Sequence, residues 1–198
     1  MNLALAELDL PLRIRSGCPV TDEQLLRLSA ENELLRLERD ANGELIVVSP
    51  TGIEGGGVES EVLLELGTWA RIDGRGRAFG ASAGFKLPDT SVRAADAAWA
   101  SHRRLNSIPV EERRGYWPVC PEFVIEVRSE SDKLTDLQTK MEQWIANGAE
   151  VAWLVDPIEK AVTIYRPGDQ PEHHENPSSV QGSGPIAGFK LAMATVWE

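Results

Sequence analysis

Three charged side chains share one face of a short predicted strand in the second half of the chain. In the segment EFVIEVR, residues 122–128, one face holds Phe123, Ile125 and Val127, and the other holds Glu122, Val124, Glu126 and Arg128. Along an extended strand the two carboxylates lie about 13 Å apart. Carboxylate oxygens suit hard cations such as Mg²⁺ or Mn²⁺, and no cluster of histidines and cysteines in the sequence favours zinc. A solvated strand face explains the same charges equally well, so the spacing alone leaves both interpretations open.

A further acidic residue, Asp96, stands in an apolar segment, ADAAWAS, that is predicted to be a buried strand. A buried carboxylate without a partner is costly, so we expect Asp96 to be hydrogen-bonded, in an ion pair or bound to a metal ion. In a purely structural role its partner would be Arg93 or a backbone amide.

An amphipathic helix is predicted over residues 133–146, directly after the charged strand. Its apolar residues recur at helical spacing, residues 129–132 offer capping side chains, and Asn147-Gly148 ends it. Lys140 lies at the margin of the apolar stripe, where its ammonium group can extend into water or reach toward the preceding strand. Residues 150–156 form the next buried strand, so the strand–helix–strand order predicts a right-handed crossover between parallel strands. Residues 161–165 then continue as a hairpin.

The N-terminal half is predicted to hold an arm, a short helix, a hairpin and a long helix. Residues 1–20 form the arm, and Thr21 with Gln24 makes a capping box that opens the short helix. Strands 33–38 and 44–49 pair around a turn at residues 40–43. Gly55 to Gly57 precede the long helix, residues 58–72, and do not have the arrangement of a phosphate-binding loop. Several short strands follow up to residue 101.

Four motifs of the second half resemble one known family when they are taken together. The segments CPEFVIEVRSESD, KMEQW, NGAEVAWLVDP and YRP are similar to those of the Uma-type (Uma-two) family of endonucleases, in the PD-(D/E)XK restriction-endonuclease-like superfamily. The resemblance extends from about Thr21 to Trp197 and includes VVSPTG and GFKL. It implies an α/β fold: one restriction-endonuclease-like domain over residues 21–198, with a central mixed β-sheet flanked by helices and with an N-terminal helix and β-hairpin.

The resemblance also implies a catalytic site. Asp96 matches the aspartate of the first family motif, although Ala95 replaces the usual proline, and Glu126 matches the acidic residue of the second motif. Lys140 matches the helix lysine that takes over from the usual strand lysine. Asp96, Glu126 and Lys140 are therefore the expected catalytic residues, and Asp96, Glu126 and the carbonyl of Val127 are the expected ligands of Mg²⁺ or Mn²⁺.

Accessory roles are less well marked. Glu122 stands where relatives usually have aspartate, Arg128 occupies the usual lysine position, and Glu59 is an acidic residue of the long helix. These three residues are possible accessory members of the site. The most basic local patch, which either contacts a nucleic-acid backbone or is simply solvated, consists of Arg103, Arg104, Arg113 and Arg114.

The composition limits the function classes further. The net charge is −11, from 31 acidic and 20 basic residues, which argues against a protein that coats nucleic acid non-specifically. Cys18 and Cys120 are far apart in sequence and suit a reducing, cytoplasmic environment. Neither a signal peptide nor a membrane span is expected.

Two function classes remain open. The first is a metal-dependent DNA endonuclease, expected by analogy to be a homodimer. The second is a nuclease-fold protein without catalysis that binds nucleic acid or regulates. A hydrolase with a nucleophilic serine or cysteine lacks support, because no GxSxG motif is present.

Overall fold

The computed structural model of the chain describes residues 11–15, 17–48 and 51–197. The helices of this part are α1 Asp22–Glu31, α2 Ile53–Asp73, α3 His102–Asn106 and α4 Leu134–Ala146, with 3₁₀ turns at Val110–Glu112 and Gly184–Ile186. Its strands are β1 Leu12–Ile14, β2 Arg36–Arg39, β3 Leu45–Val48, β4 Gly76–Gly80, β5 Phe85–Lys86, β6 Val92–Arg93, β7 Ala97–Ser101, β8 Phe123–Val127, β9 Val151–Asp156, β10 Ala161–Tyr165, β11 Glu172–Glu175, β12 Ser179–Gln181 and β13 Lys190–Ala192.

The central sheet is mixed, with the strand order β11-β10-β9-β8-β7-β4. β8 and β9 are parallel, with Phe123 opposite Val151, whereas the other neighbours are antiparallel. The parallel pair is connected through α4, so the predicted crossover between parallel strands is confirmed. The β9–β10 hairpin is confirmed as well.

Helices cover both faces of this sheet, because alternate residues of its central strands are apolar on each side. One apolar cluster joins α2 to the first face and includes Val62, Leu66, Phe123, Ile125 and Trp153. A second cluster joins α4 to the opposite face and includes Val124, Met141, Trp144, Ala152 and Leu154. Every residue of β8 is therefore buried, including its acidic residue.

A second sheet, in the order β1-β3-β2-β6-β5, contains the predicted N-terminal hairpin. Residues 12–14 of the expected arm form β1 and pair with β3, while residues 1–10 lie outside the described residues. The capping box of Thr21 and Gln24 is confirmed. β2 begins later than predicted because residues 32–35 form a turn after α1, in which the N–H of Leu35 donates to the carbonyl of Asn32. β6 pairs with β2 and leads within four residues into β7, so it links the two sheets.

Two local predictions need correction. α2 begins at Ile53, so Gly55 to Gly57 lie inside the helix and do not precede it. The N–H of Gly56 already donates to the carbonyl of Gly52, and this helical hydrogen bond forms despite the entropic cost of glycine. Asp132 does not cap α4; its carboxylate accepts from the N–H and hydroxyl of Ser129 and closes the turn.

Among the described residues, no helix combines the length and apolar character that crossing a membrane requires.

Candidate active site

Asp96 and Glu126 come together at the junction of β7 and β8. Ala97 lies opposite Ile125 in this antiparallel pair, so the same register continued by one residue puts Asp96 beside Glu126. The N–H of Val127 donates to Oδ2 of Asp96 at 2.8 Å, which fixes the aspartate against β8. Asp96 is 4% exposed and Glu126 is 1% exposed. The interpretation of the charged strand face as solvated is therefore wrong for its glutamates, since Glu122 is also buried.

Lys140 reaches the same place from α4. Its Nζ lies 3.0 Å from Oε2 of Glu126 and donates to the carbonyl of Ala94 at 2.9 Å. Trp144, one helical turn further on, donates from Nε1 to Oε1 of Glu126 at 2.8 Å. Of the two directions open to Lys140, the structure has the one toward the strand, and only 13% of the side chain is exposed. The three residues named by the family motifs thus meet in one buried cluster.

Glu38 of β2 joins this cluster, and the sequence did not indicate it. Its carboxylate is 2% exposed and lies 3.2 Å from Nζ of Lys140. It also accepts from Nη1 of Arg93 at 2.9 Å and from the N–H of Ala94 at 3.2 Å. Arg93, the expected partner of a structural Asp96, therefore pairs with Glu38. One ammonium group is shared between two buried glutamates.

Arg36, two residues before Glu38, is the second residue that the sequence did not indicate. Its Nη1 lies 2.7 Å from Oδ1 of Asp96, and the side chain is 25% exposed. Its Nε is buried and has no hydrogen-bond partner among the described residues. Asp96 is thus held by a guanidinium on one oxygen and by a backbone amide on the other. The available signal was the alternation of residues 35–38, which puts Arg36 and Glu38 on one face of β2.

The two glutamates of the cluster have pKa values shifted in opposite directions. Burial raises the pKa of Glu126 to about 7; the nearby Asp96 raises it too, while Lys140 opposes the effect. Burial would also raise the pKa of Glu38, but Lys140 and Arg93 outweigh it and lower that pKa to about 2. The pKa of Lys140 is raised, since both glutamates outweigh the effect of its burial. Lys140, which stays protonated, therefore lies between Glu38, which stays ionised, and Glu126, whose pKa is about 7.

Glu59 of α2 approaches the cluster from the other face of the sheet. Its carboxylate accepts from the hydroxyl of Thr51 at 2.7 Å. Burial, and next the charge of Asp96, raise the pKa of Glu59, so the two carboxylates lie within electrostatic reach of each other.

The other two expected accessory residues lie outside the cluster. Glu122 is at the opposite end of β8, where it accepts from the N–H of Ser101 at 3.0 Å and pairs with Arg104 at 3.1 Å. Arg128 pairs with Asp156 at 2.7 Å across the carboxyl ends of β8 and β9. These contacts join neighbouring elements and do not reach Asp96 or Lys140.

The basic patch divides into structural and exposed arginines. Arg104 donates to the carbonyls of Cys120 and Gly148, and Arg113 donates to the carbonyl of Ile108. Arg103 and Arg114 are exposed. Arg103 and Arg114 therefore face solvent, and a contact of any of the four with nucleic acid stays a prediction.

The donor set of the cluster fits a hard divalent cation in kind. Asp96, directly before β7, and Glu126 of β8 present carboxylate oxygens, and Mg²⁺ commonly binds through one or two carboxylates together with water and phosphate oxygens. Across residues 11–15, 17–48 and 51–197 no group of three His, Cys, Asp or Glu side chains is arranged to hold a metal ion. Arg36 supplies positive charge to Asp96, so a cation there would share or replace that contact.

The fold is of the mixed α/β class, and a buried acid–lysine cluster lies where β7, β8 and α4 meet. The chain matches the model of the family Uma2, described as "Putative restriction endonuclease", over residues 22–194, and it belongs to that family. Its structure is similar to the crystal structure of "a putative nuclease belonging to DUF820" from Anabaena variabilis, with a TM-score of 0.72 and 23% identity. The likeness covers 90% of this chain and 98% of that chain and confirms the predicted fold. No curated protein matches the chain.

Proposed function

We propose that this protein is a divalent-metal-dependent endonuclease that hydrolyses phosphodiester bonds of DNA. One observation carries the proposal: Asp96, directly before β7, is held beside Glu126 of β8, and the ammonium of Lys140 lies 3.0 Å from Glu126. Membership of the Uma2 family supports a nuclease. The substrate and the metal are part of our proposal.

In this proposal, Asp96, Glu126 and the carbonyl of Val127 hold Mg²⁺ or Mn²⁺. When bound, such an ion would supply a lowered pKa for a water molecule and would offset charge on the phosphate. Lys140 donates to the attacking water or to a phosphate oxygen. Its position is set by the hydrogen bonds to Glu38 and to the carbonyl of Ala94.

The supporting groups of the site are fixed before substrate binds. Trp144 and Lys140 both donate to Glu126, and the N–H of Val127 orients Asp96. The low exposure of both acids strengthens every electrostatic interaction in the cluster. Such preorganisation is what positioning of an attacking water requires.

The surroundings of the site extend the proposal. Glu59 is a candidate for a third carboxylate, and Arg103 and Arg114 are candidates for contacts with the DNA backbone. A homodimer would allow both strands to be cut, and a cytoplasmic location would place the protein with its substrate. Size-exclusion chromatography with light scattering tests the dimer.

A second candidate function is a nuclease-fold protein that binds nucleic acid or regulates without cleaving it. The observation that favours it is the ion pair between Arg36 and Asp96, at 2.7 Å, because the guanidinium supplies the positive charge that a metal ion would otherwise bring. The two candidates differ in whether Asp96 exchanges this partner for a cation.

Plasmid nicking in Mg²⁺ and in Mn²⁺ tests the proposal with a pair of matched variants. Asp96→Asn removes a buried carboxylate paired with an arginine at 2.7 Å, and Asp156→Asn removes another carboxylate with the same pairing distance. We expect Asp96→Asn to lower nicking by at least about 100-fold, because it removes a metal ligand. Asp156→Asn is expected to remain within a few-fold of wild type. Equal nicking by wild type and Asp96→Asn contradicts the proposal, and a wild type inactive with both metals favours the second candidate.

A further inference from the structure

A cavity separate from the carboxylate cluster opens between β4, β5, α3 and residues 113–119. Its volume is about 630 Å³, within the usual range for small-molecule sites. The half-buried rings of Phe79, Tyr116 and Trp117 line it, and Leu105 and Val119 form part of its apolar surface. The lining thus offers apolar and aromatic surface in one concave place, which suits a planar apolar group.

The charge of the cavity is opposite to that of the chain. Its charged lining residues are Arg77 and Arg113, accompanied by His102, and none of the described residues that line it is acidic. The chain as a whole has a net charge of −11. A locally positive cavity in an acidic protein favours an anionic ligand, since the remaining surface repels one.

Both arginines lie over rings of the cavity wall. The guanidinium carbon of Arg77 lies 5.6 Å from the centroid of Phe79, and that of Arg113 lies 5.5 Å from the centroid of Trp117. Arg113 donates to the carbonyl of Ile108, while Nε1 of Trp117 donates to the carbonyl of Arg113. Arg113 and Trp117 are therefore held in place without a ligand. Aromatic faces and guanidinium planes are the surfaces on which nucleobases stack.

A row of aromatic rings connects the cavity wall with the cluster. Phe79 and Phe85 meet edge to face at 5.5 Å, and Phe85 meets Trp144 edge to face at 6.3 Å. Trp144 donates to Glu126. A ligand in the cavity would therefore lie a few side chains from the acidic residues.

We propose that this cavity binds a nucleotide, with the base stacked against the aromatic wall and the phosphate on Arg77 and Arg113. The shared chemistry is a planar base that bears a phosphate, either as a free mononucleotide or as an unpaired nucleotide of a DNA strand. Binding requires no metal ion and no cleavage, so it can be measured apart from nuclease activity.

The test uses the full-length protein in EDTA and measures binding by isothermal titration calorimetry. The probes are adenosine monophosphate, adenosine and inorganic phosphate. Arg77→Gln removes an exposed arginine of the cavity, and Arg71→Gln removes an exposed arginine of α2 outside it. We expect adenosine monophosphate to bind more tightly than either fragment. Arg77→Gln should weaken its binding about tenfold, and Arg71→Gln should leave it unchanged.

Fluorescence anisotropy with a labelled single-stranded oligonucleotide and with its duplex distinguishes the two sources of the ligand. The ligand is an unpaired nucleotide of a DNA strand if the single strand binds more tightly than the duplex and Arg77→Gln weakens that binding. Binding confined to the mononucleotide identifies a free ligand. Phe79→Leu, which keeps an apolar side chain, should weaken whichever probe binds.

Three results overturn the proposal: no binding of any probe at millimolar concentration, phosphate binding as tightly as the nucleotide, or equal losses in Arg77→Gln and Arg71→Gln. Thermal unfolding of each variant shows whether it folds, and if Phe79→Leu does not, Arg77→Gln decides. If the wild type cuts DNA but does not bind these probes, the proposal of nucleotide binding in the cavity is refuted and the nuclease proposal is not. If the wild type binds the probes but does not cut DNA, the nuclease proposal is refuted and the proposal of nucleotide binding is not.

Discussion

Replacement of Glu126 by glutamine should stabilise the protein while it abolishes cleavage. The pKa of Glu126 is raised from an ordinary value of 4.5 to about 7, so the folded state binds a proton more tightly than the unfolded state does. The contribution of Glu126 to the stability of wild type therefore falls as the pH rises from about 4.5 to about 7 and is level above that. The difference of about 2.5 pH units corresponds to about 3 kcal/mol at 1.36 kcal/mol per unit.

Glutamine avoids this cost because it does not ionise, and its oxygen can still accept from Trp144. The free energy of unfolding of Glu126→Gln should exceed that of wild type by about 1–3 kcal/mol at pH 8, with the lower figure allowing for an imperfectly bonded amide. The difference should disappear at pH 4. Urea unfolding in EDTA, followed by tryptophan fluorescence at pH 4, 6 and 8, measures it.

Glu38→Gln is the matched control, because Glu38 shares the same ammonium and its pKa is lowered to about 2. Its ionised form therefore stabilises the fold above about pH 4.5, and that contribution is lost as the pH falls toward 2. Glu38→Gln should destabilise the protein at pH 8, which is opposite in sign to Glu126→Gln. The same sign for both substitutions at pH 8, or an effect of Glu126→Gln that does not change with pH, refutes the reasoning.

Two further substitutions probe the cations of the cluster. Arg36→Met frees Asp96 from a charge-assisted hydrogen bond of about 1.5–3 kcal/mol, so calorimetry should show Mn²⁺ binding about 10- to 100-fold more tightly. Arg128→Met breaks an ion pair of equal length outside the cluster and should leave that affinity unchanged; weaker binding by Arg36→Met would speak against competition for Asp96. Lys140→Met leaves two buried glutamates without their ammonium and should lower the free energy of unfolding by about 3–5 kcal/mol at pH 8. The loss should shrink at pH 6, where Glu126 becomes protonated, and an equal loss at both pH values would exclude this explanation.

The sequence was most informative where local periodicity decides the structure. The alternation in residues 122–128 and the helical spacing in residues 133–146 predicted β8, α4 and the parallel β9, and all three are present. Periodicity could not show that α4 buries the charged face of β8, because that depends on which element packs there. The same limit applies to α2, whose start at Ile53 overrides the low helix propensity of its glycines.

The cluster was predictable only in part. The family motifs pointed to Asp96, Glu126 and Lys140, and the structure brings these three together. Alternation puts Arg36 and Glu38 on one strand face, but it does not mark them as part of a site, because a charged residue on a hairpin strand is usually solvated. Their partners are set by the docking of the second sheet, which sequence spacing does not encode.

The link between the two sheets through β6 has a consequence for the order of folding. Glu38 meets Lys140 across 102 residues of chain, and Arg36 meets Asp96 across 60, so the cluster closes two of the longer loops in the molecule. Contacts this distant in sequence form late, after the local crossover of β8, α4 and β9 can assemble. A newly made chain would therefore complete the acid–lysine cluster only after its N-terminal half has packed against its C-terminal half. A partly folded chain would lack the cluster.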